Sequence, residues 1–207
     1  TGCITPLGND ADSFWANLLA GRSGIAPLTK FDTAGMKVRF GGEIRDFHPA
    51  DYMAEKKINR LDPFAQYAIA AARACNTHFA TDYMDERLKP IGVFPMRDPQ
   101  AAADEVARAT GELGLVGYAV MPIGLPFGLG DTFYDPIYEQ AQKHGAAICM
   151  HGTRMAAHEW GADKLRNFSE VHAYSFTAGV LMHFTSVITQ GIAVRFPDLK
   201  FAFLEIG

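Results

Sequence analysis

Ala146-Ala-Ile-Cys-Met-His151-Gly-Thr153 is a short apolar run that ends on a histidine and then turns at glycine. Gly145 stands before it and Gly152 follows the histidine. A run of this length between glycines reads as a strand buried on both faces, as in parallel sheets covered by helices. The chemistry of the chain is expected around His151.

Outward from this strand the same grammar repeats. Asp135-Pro136 opens a helix that closes in Lys143-His144-Gly145, a cationic last turn followed by a glycine able to take the left-handed cap. Before it, Leu115-Val-Gly-Tyr-Ala-Val-Met121 reads as a strand. It is preceded by a helix from Asp98-Pro99 to Leu113, in which Asp98 caps, Pro99 starts and Gly114 stops. Ile91-Gly-Val-Phe-Pro95 reads as an earlier strand. On the other side, a helix from about Ser175 to Thr189 leads into a last strand, Lys200-Phe-Ala-Phe-Leu-Glu205.

Four strands separated by helices predict an α/β fold with parallel strands. Right-handed crossovers then place the strand ends Pro95, Pro122, His151 and Glu205 on one rim. Pro122 to Gly130, rich in Gly and Pro, is expected to be the longest loop there and a candidate substrate lid.

With 48% hydrophobic and 20% charged residues in 207, the chain has material for one sizeable core or two small ones. A net charge of -4 argues against a general nucleic-acid surface. No run approaches the roughly 18 apolar residues of a membrane span. The first residues lack the basic region of a signal peptide, and the absence of an initiator Met reads as a fragment. Cys3, Cys75 and Cys149 include no Cys-x-x-Cys pair, and a reducing, cytoplasmic setting is expected.

In the first third, Asn9 or Asp10 is expected to cap a helix through Leu19, with Phe14, Trp15, Leu18 and Leu19 on one face that must dock, and Gly21 ending it. The aromatic residues Phe14, Trp15, Phe201 and Phe203 are expected in the core. Lys37 to Arg45 alternates like an exposed-face strand or hairpin arm. Asp62-Pro63 opens an alanine-rich helix through about Ala74.

Thr5-Pro-Leu-Gly-Asn9, Ser13-Phe-Trp-Ala-Asn-Leu-Leu-Ala-Gly-Arg-Ser-Gly-Ile25, Lys30-Phe-Asp32 and Arg60-Leu-Asp-Pro-Phe-Ala-Gln-Tyr-Ala68 resemble the amino-terminal segment of β-ketoacyl-ACP synthases of the thiolase fold. That family carries its acyl chain on a cysteine assisted by two histidines, in motifs this segment lacks. The resemblance implies a fold and a dimerisation habit but no active-site residue. Cys3 and Cys75 read as small buried residues.

Glu86-Arg-Leu-Lys-Pro-Ile-Gly-Val-Phe-Pro-Met-Arg-Asp-Pro99, Glu112-Leu-Gly-Leu-Val-Gly117, Phe133-Tyr-Asp-Pro-Ile-Tyr138, Met150-His-Gly152 and the stretch from Gly191 to Gly207 resemble the metal-dependent amidohydrolase-related family of (β/α)8 barrels. That family includes hydrolases and nonoxidative decarboxylases such as aminocarboxymuconate semialdehyde decarboxylase. The resemblance implies a partial barrel over residues 73–207, following a ketosynthase-like segment over residues 1–72. It implies a divalent metal, commonly zinc, and a small carboxylated or cyclic substrate. A homo-oligomer is a separate expectation.

In that family a His-x-His pair, a histidine ending a middle strand and an aspartate near the last strand hold the metal. His151 matches the middle histidine. Glu205 stands where relatives place a metal-proximal histidine or a Leu-Glu-x-Gly turn, which implies an acid or base. No His-x-His occurs in the sequence, and it ends before the strand that would carry the aspartate.

The two resemblances meet near Ala71-Ala-Arg-Ala-Cys-Asn76 without a Gly, Pro or Ser spacer. They read as a chimera, with a mis-joined reading frame as the first account.

Each site residue also has a plainer reading. His151 can be a strand-end histidine that donates to a backbone carbonyl. Glu205 can be a strand-end carboxylate paired with Arg or Lys. His172 is a pocket candidate because a polar loop is expected just before it. His172 and His183, eleven residues apart, could share a helix face but not a metal. His158 reads as a surface or loop residue.

Overall fold

Asp10 caps the first helix: its carboxylate accepts the Ser13 amide at 2.7 Å and opens α1, Ala11–Leu19. Gly21, at φ +64°, ends it as expected, with Gly21 donating to Leu18 and Arg22 to Asn17. This pair of bonds satisfies carbonyls the helix leaves open. In the computed structural model, which describes residues 2–85, 87–152 and 161–205, α1 contributes no buried residue. Trp15 is 57% exposed, and Leu18 and Leu19 are exposed beside it. The expectations of a docked apolar face and of a core Trp15 are therefore corrected. A 3.6-residue stripe identifies a face that benefits from burial and does not supply the cover.

The chain divides into two compact units, Thr1–Phe79 and Ala80–Gly207. In the first, β1 (Ile25–Pro27) pairs antiparallel with β2 (Phe40–Gly42), Ile25 opposite Gly42. The strand expected over Lys37 to Arg45 shrinks to these three residues. Two short helices follow in chain order, a 3-10 turn over Pro49–Asp51 and α2, Glu55–Ile58. Then α3 runs from Pro63 to Asp82, eight residues past the expected end.

Glu43 organises the ribbon. Its Oε1 accepts the amides of Thr29 at 2.8 Å and Lys30 at 2.9 Å, and its Oε2 accepts the Thr29 hydroxyl at 3.0 Å. The Lys30 amide chiefly, with the Thr29 amide and hydroxyl and nearby Arg45, holds this carboxyl below the usual range against the opposing effect of burial. The elements of this unit are a ribbon and helices, and they do not show a layered thiolase fold.

In the second unit α4, Pro99–Leu113, begins at Asp98, whose carboxylate accepts the Ala101 amide at 3.0 Å, and ends at Gly114 with φ +73°. β3 (Gly117–Val120) follows, then α5 (Asp135–His144), closed by Gly145 at φ +69°. β4 is Ala147–His151. The helix expected from Ser175 begins seven residues earlier: α6 is Phe168–Thr189, opened by Asn167, whose side chain accepts the Glu170 amide. After α7 (Ile192–Arg195) comes β5, Lys200–Leu204.

The three strands form one parallel sheet in the order β3-β4-β5. Val120 lies opposite Met150, Met150 opposite Phe203 and His151 opposite Leu204. The strand expected at Ile91 to Pro95 reduces to a parallel bridge between Gly92 and Tyr118. Pro90 just before that run and Pro95 at its end have no amide hydrogen to give the ladder. The unit is thus mixed α/β with a parallel sheet and helices, and the described strands do not close a barrel.

Period-two alternation sorts the sheet's faces. Tyr118, Val120, Ile148 and Met150 are fully covered and join Ala102, Val106, Ile137, Tyr138 and Val180 of the helices in the core. Burial chiefly, with the neighbouring Tyr134 and Asp135, pushes the Tyr138 hydroxyl far up, and burial chiefly pushes the Tyr118 hydroxyl up to about 12. Ala119, Cys149, His151 and Ala202 alternate onto the other, half-exposed face. The expectation that β4 is buried on both faces is corrected, because among its residues Ile148 and Met150 are buried while Ala147, Cys149 and His151 are only half-covered. Phe201 and Phe203 are partly buried against the core. No described helix is long and apolar enough to cross a membrane.

Candidate functional site

The parallel register sets where the site lies. β3, β4 and β5 end at one edge, so Pro122, Gly152 and Glu205 follow from neighbouring strands at similar height. This is the edge at which α/β folds concentrate binding groups.

His151 is half-exposed, and its Nδ1 lies 2.6 Å from the Gly152 carbonyl oxygen. A carbonyl only accepts, so this contact places a proton on Nδ1, and in the neutral ring Nε2 is then the nitrogen with the lone pair. Nε2 stands 3.6 Å from Glu205 Oε2. That separation is too long for a hydrogen bond. It is near the roughly 3.4 Å that two ligands at usual zinc distances span across a tetrahedral ion.

Glu205 takes φ +59°, a left-handed backbone that residues with a Cβ rarely adopt. The strand therefore ends abruptly at the carboxylate. Gly152 fits because of its neighbours: a Cβ there would lie 2.8 Å from the Phe176 ring and 3.3 Å from Glu205 Oε2. His172 lies inside α6, so its expected place just after a polar loop is corrected. It stacks on Phe168 at 5.4 Å between ring centres and meets Phe176 at 4.7 Å. One aromatic ring thus connects His172 to the Gly152 turn, while His151 and Glu205 face each other directly. His158 lies outside the described residues, as does Thr153 at the end of the opening stretch.

A catalytic divalent metal usually takes three protein ligands and keeps one position open. His151 and Glu205 fit two of them. Among the described residues no group of three His, Cys, Asp or Glu side chains could hold an ion, so the residues present do not make a complete set.

The loop from Pro122 to Gly130 is not the free lid expected from its composition. His183, a residue set aside by sequence reasoning, is 1% exposed and bonds to both ends of it: Leu129 N donates to Nδ1 at 3.2 Å, and Nε2 lies 3.0 Å from Pro122 O. Tyr138 OH donates to Leu129 O at 2.5 Å and Tyr134 OH to Phe127 O at 3.1 Å. No local pattern marks His183, since a histidine within an apolar helix does not reveal which loop crosses it.

A family model for amidohydrolases matches residues 34–207. Two solved structures share the fold. One is 5-carboxyvanillate decarboxylase from Sphingomonas paucimobilis, 19% identical, with 73% of this chain and 45% of that one covered and a TM-score of 0.53. The other is 5-carboxyvanillate decarboxylase from Novosphingobium aromaticivorans, complexed with manganese and 4-hydroxy-3-methoxy-5-nitrobenzoic acid. It is 23% identical, with 69% of this chain and 41% of that one covered and a TM-score of 0.55. A third relative is 3-oxoacyl-[acyl-carrier-protein] synthase 2 from Synechocystis, 40% identical over 72 residues. Those residues are 35% of this chain, which spans 17% of that relative's length.

Proposed function

Because the chain belongs to the amidohydrolase family, we propose that its second unit is the part of a divalent-metal-dependent hydrolase or nonoxidative decarboxylase that presents His151 as a metal ligand and Glu205 as acid or base. The observation that carries the reading is His151 Nε2 facing Glu205 Oε2 at 3.6 Å where parallel strands end. The relatives named as 5-carboxyvanillate decarboxylases, one of them manganese-bound, favour a small carboxylated aromatic substrate and a divalent ion. Zinc and manganese are the ions to test, zinc first because imidazole is a preferred ligand of that ion.

Glu205 is the residue that carries proton transfer. In a decarboxylation the bond to the carboxylate breaks, its electron pair stays on the substrate carbon, and CO2 leaves. Glu205, protonated, gives its proton to that carbon and takes another from solvent, while the Nε2 lone pair of His151 is the group that would hold the metal. In a hydrolysis the same carboxylate, ionised, takes a proton from water. Phe176, Phe168 and His172 form an aromatic side to the Gly152 turn, suited to a flat ring.

The test is metal content followed by turnover. Purified chain dialysed against zinc or manganese is expected to retain a stoichiometric fraction and to release CO2 from hydroxylated benzoic acids carrying a second carboxyl. Below about 0.1 equivalent of metal bound per chain, with no CO2 released, the reading is wrong.

The ketosynthase likeness supports a second reading, a fragment of an acyl-condensing enzyme. It requires an activated cysteine. Burial pushes the Cys3 and Cys149 thiols up, opposite to the shift a nucleophile needs. A cerulenin-like electrophile that labels none of the three cysteines removes this reading. The join of a segment over residues 1–72 to one over 73–207, as a chimera or a mis-joined frame, belongs to the same proposal. Continuous coding DNA across residues 68–78 would reject the mis-joined frame.

A further inference from the structure

We propose that His183 is a positioning residue of the rim: as a neutral imidazole with its proton on Nε2, it fixes Pro122–Leu129 as a standing wall beside the ends of β3 and β4. The proposal rests on the reading of that rim as the substrate side.

The assignment follows from donors and acceptors. Leu129 N can only donate, so the Nδ1 it meets at 3.2 Å carries no proton. Pro122 O can only accept, so Nε2, at 3.0 Å, carries one. One ring thus joins both ends of an eight-residue excursion, and both bonds are buried, where an unmatched partner is costly. Met121 and Pro122 continue β3 past the Val120–Met150 pair, so the excursion starts level with His151 and Gly152.

Neighbouring contacts make the wall continuous with α6. Ser186, one turn after His183, accepts the Gly130 amide at 3.0 Å. A Cβ on Gly128 would lie 2.4 Å from Ser186 Oγ, and one on Gly130 would lie 2.1 Å from Ser186 O. Both glycines therefore permit backbone to lie directly on the helix. Arg195 Nη2 donates to Gly130 O at 2.5 Å, and Arg97 Nε to Gly124 O at 2.9 Å. A segment rich in Gly and Pro is thereby held at Pro122, Gly124, Phe127 and Leu129, and at Gly130 just after it, by side chains from outside it. His183 holds both its start and its end.

The full chain labelled with nitrogen-15 tests this. Long-range proton-nitrogen spectra are expected to show His183 with an unprotonated Nδ1. Exchange of the Leu129 amide is expected to rise about tenfold or more in His183→Phe, which removes the acceptor, while β4 amides keep their rates. His183→Gln, whose amide offers one acceptor and one donor, is expected to restore protection. A ring carrying its proton on Nδ1, or Leu129 exchange unchanged in His183→Phe, overturns the proposal. Should His183→Phe not fold, the ring spectrum of the unaltered chain decides alone. Failure to bind metal or turn over substrate changes none of these readouts and bears on the functional reading instead.

Discussion

At the scale of single residues, His151 and Glu205 make separable predictions. Replacing His151 by Ala removes the Nε2 lone pair and is expected to abolish metal retention, measured by elemental analysis. Glu205→Gln keeps the shape and removes the proton exchange, and is expected to lower turnover by about 10²- to 10⁴-fold while metal retention falls less. Equal loss of metal in both variants would make Glu205 a ligand instead of an acid or base.

Glu43 gives a pH prediction of its own. Its folded-state pKa is depressed, chiefly by the Lys30 amide, so its contribution is present above the unfolded carboxylate value of about 4.3 and is lost as pH falls through the folded value. Thermal unfolding from pH 7 down to pH 2 is expected to be less acid-sensitive in Glu43→Gln than in the parent. Identical slopes would remove Glu43 from the acid response.

At the scale of elements, the helix ends are the most exposed to test. Asp98→Ala removes the bond to the Ala101 amide and is expected to cost about 1 kcal/mol. Gly114→Ala forces a Cβ onto φ +73° and is expected to cost about 1 kcal/mol or more. Chemical denaturation measures both, and a neutral Gly114→Ala would show that the left-handed turn does not persist in solution.

These ends were legible because capping is local chemistry: Asp98-Pro99 and Gly114, and likewise Asp10 and Gly21, act within one turn of themselves. The start of α6 was less legible. Asn167 accepts the Glu170 amide, but the polar and aromatic residues from Phe168 to Tyr174 carry no strong helical period, so the helix became visible only once its later turns packed. The strand at Ile91 to Pro95 failed for the complementary reason. Its apolar pattern suits a strand, but a ladder also needs amide donors and a neighbour in register.

At the scale of the whole molecule, apolar surface separates core from exposed face. Ile148 is fully buried in the sheet core, whereas Leu181 on α6 is 56% exposed. Ile148→Ala is expected to cost about 2–5 kcal/mol and Leu181→Ala no more than about 0.5 kcal/mol, both by denaturant titration. A Leu181→Ala loss comparable to that of Ile148→Ala would mean that another surface covers α6 in solution, as a homo-oligomer would.

The sequence by itself determined the parallel βα order, the caps that start and stop α1 and α4, the glycine that stops α5, and the arrival of His151 and Glu205 at the ends of strands. Those follow from periodicity and from bonds made within a few residues. Only the tertiary structure decided that His151 Nε2 meets Glu205, that Gly152 must be small between Phe176 and that carboxylate, and that His183 holds the Pro122–Leu129 segment. The partners in these contacts lie about 25 to 60 residues apart, so chain crossings and packing bring them together, and no local pattern specifies which side chain waits on the other side.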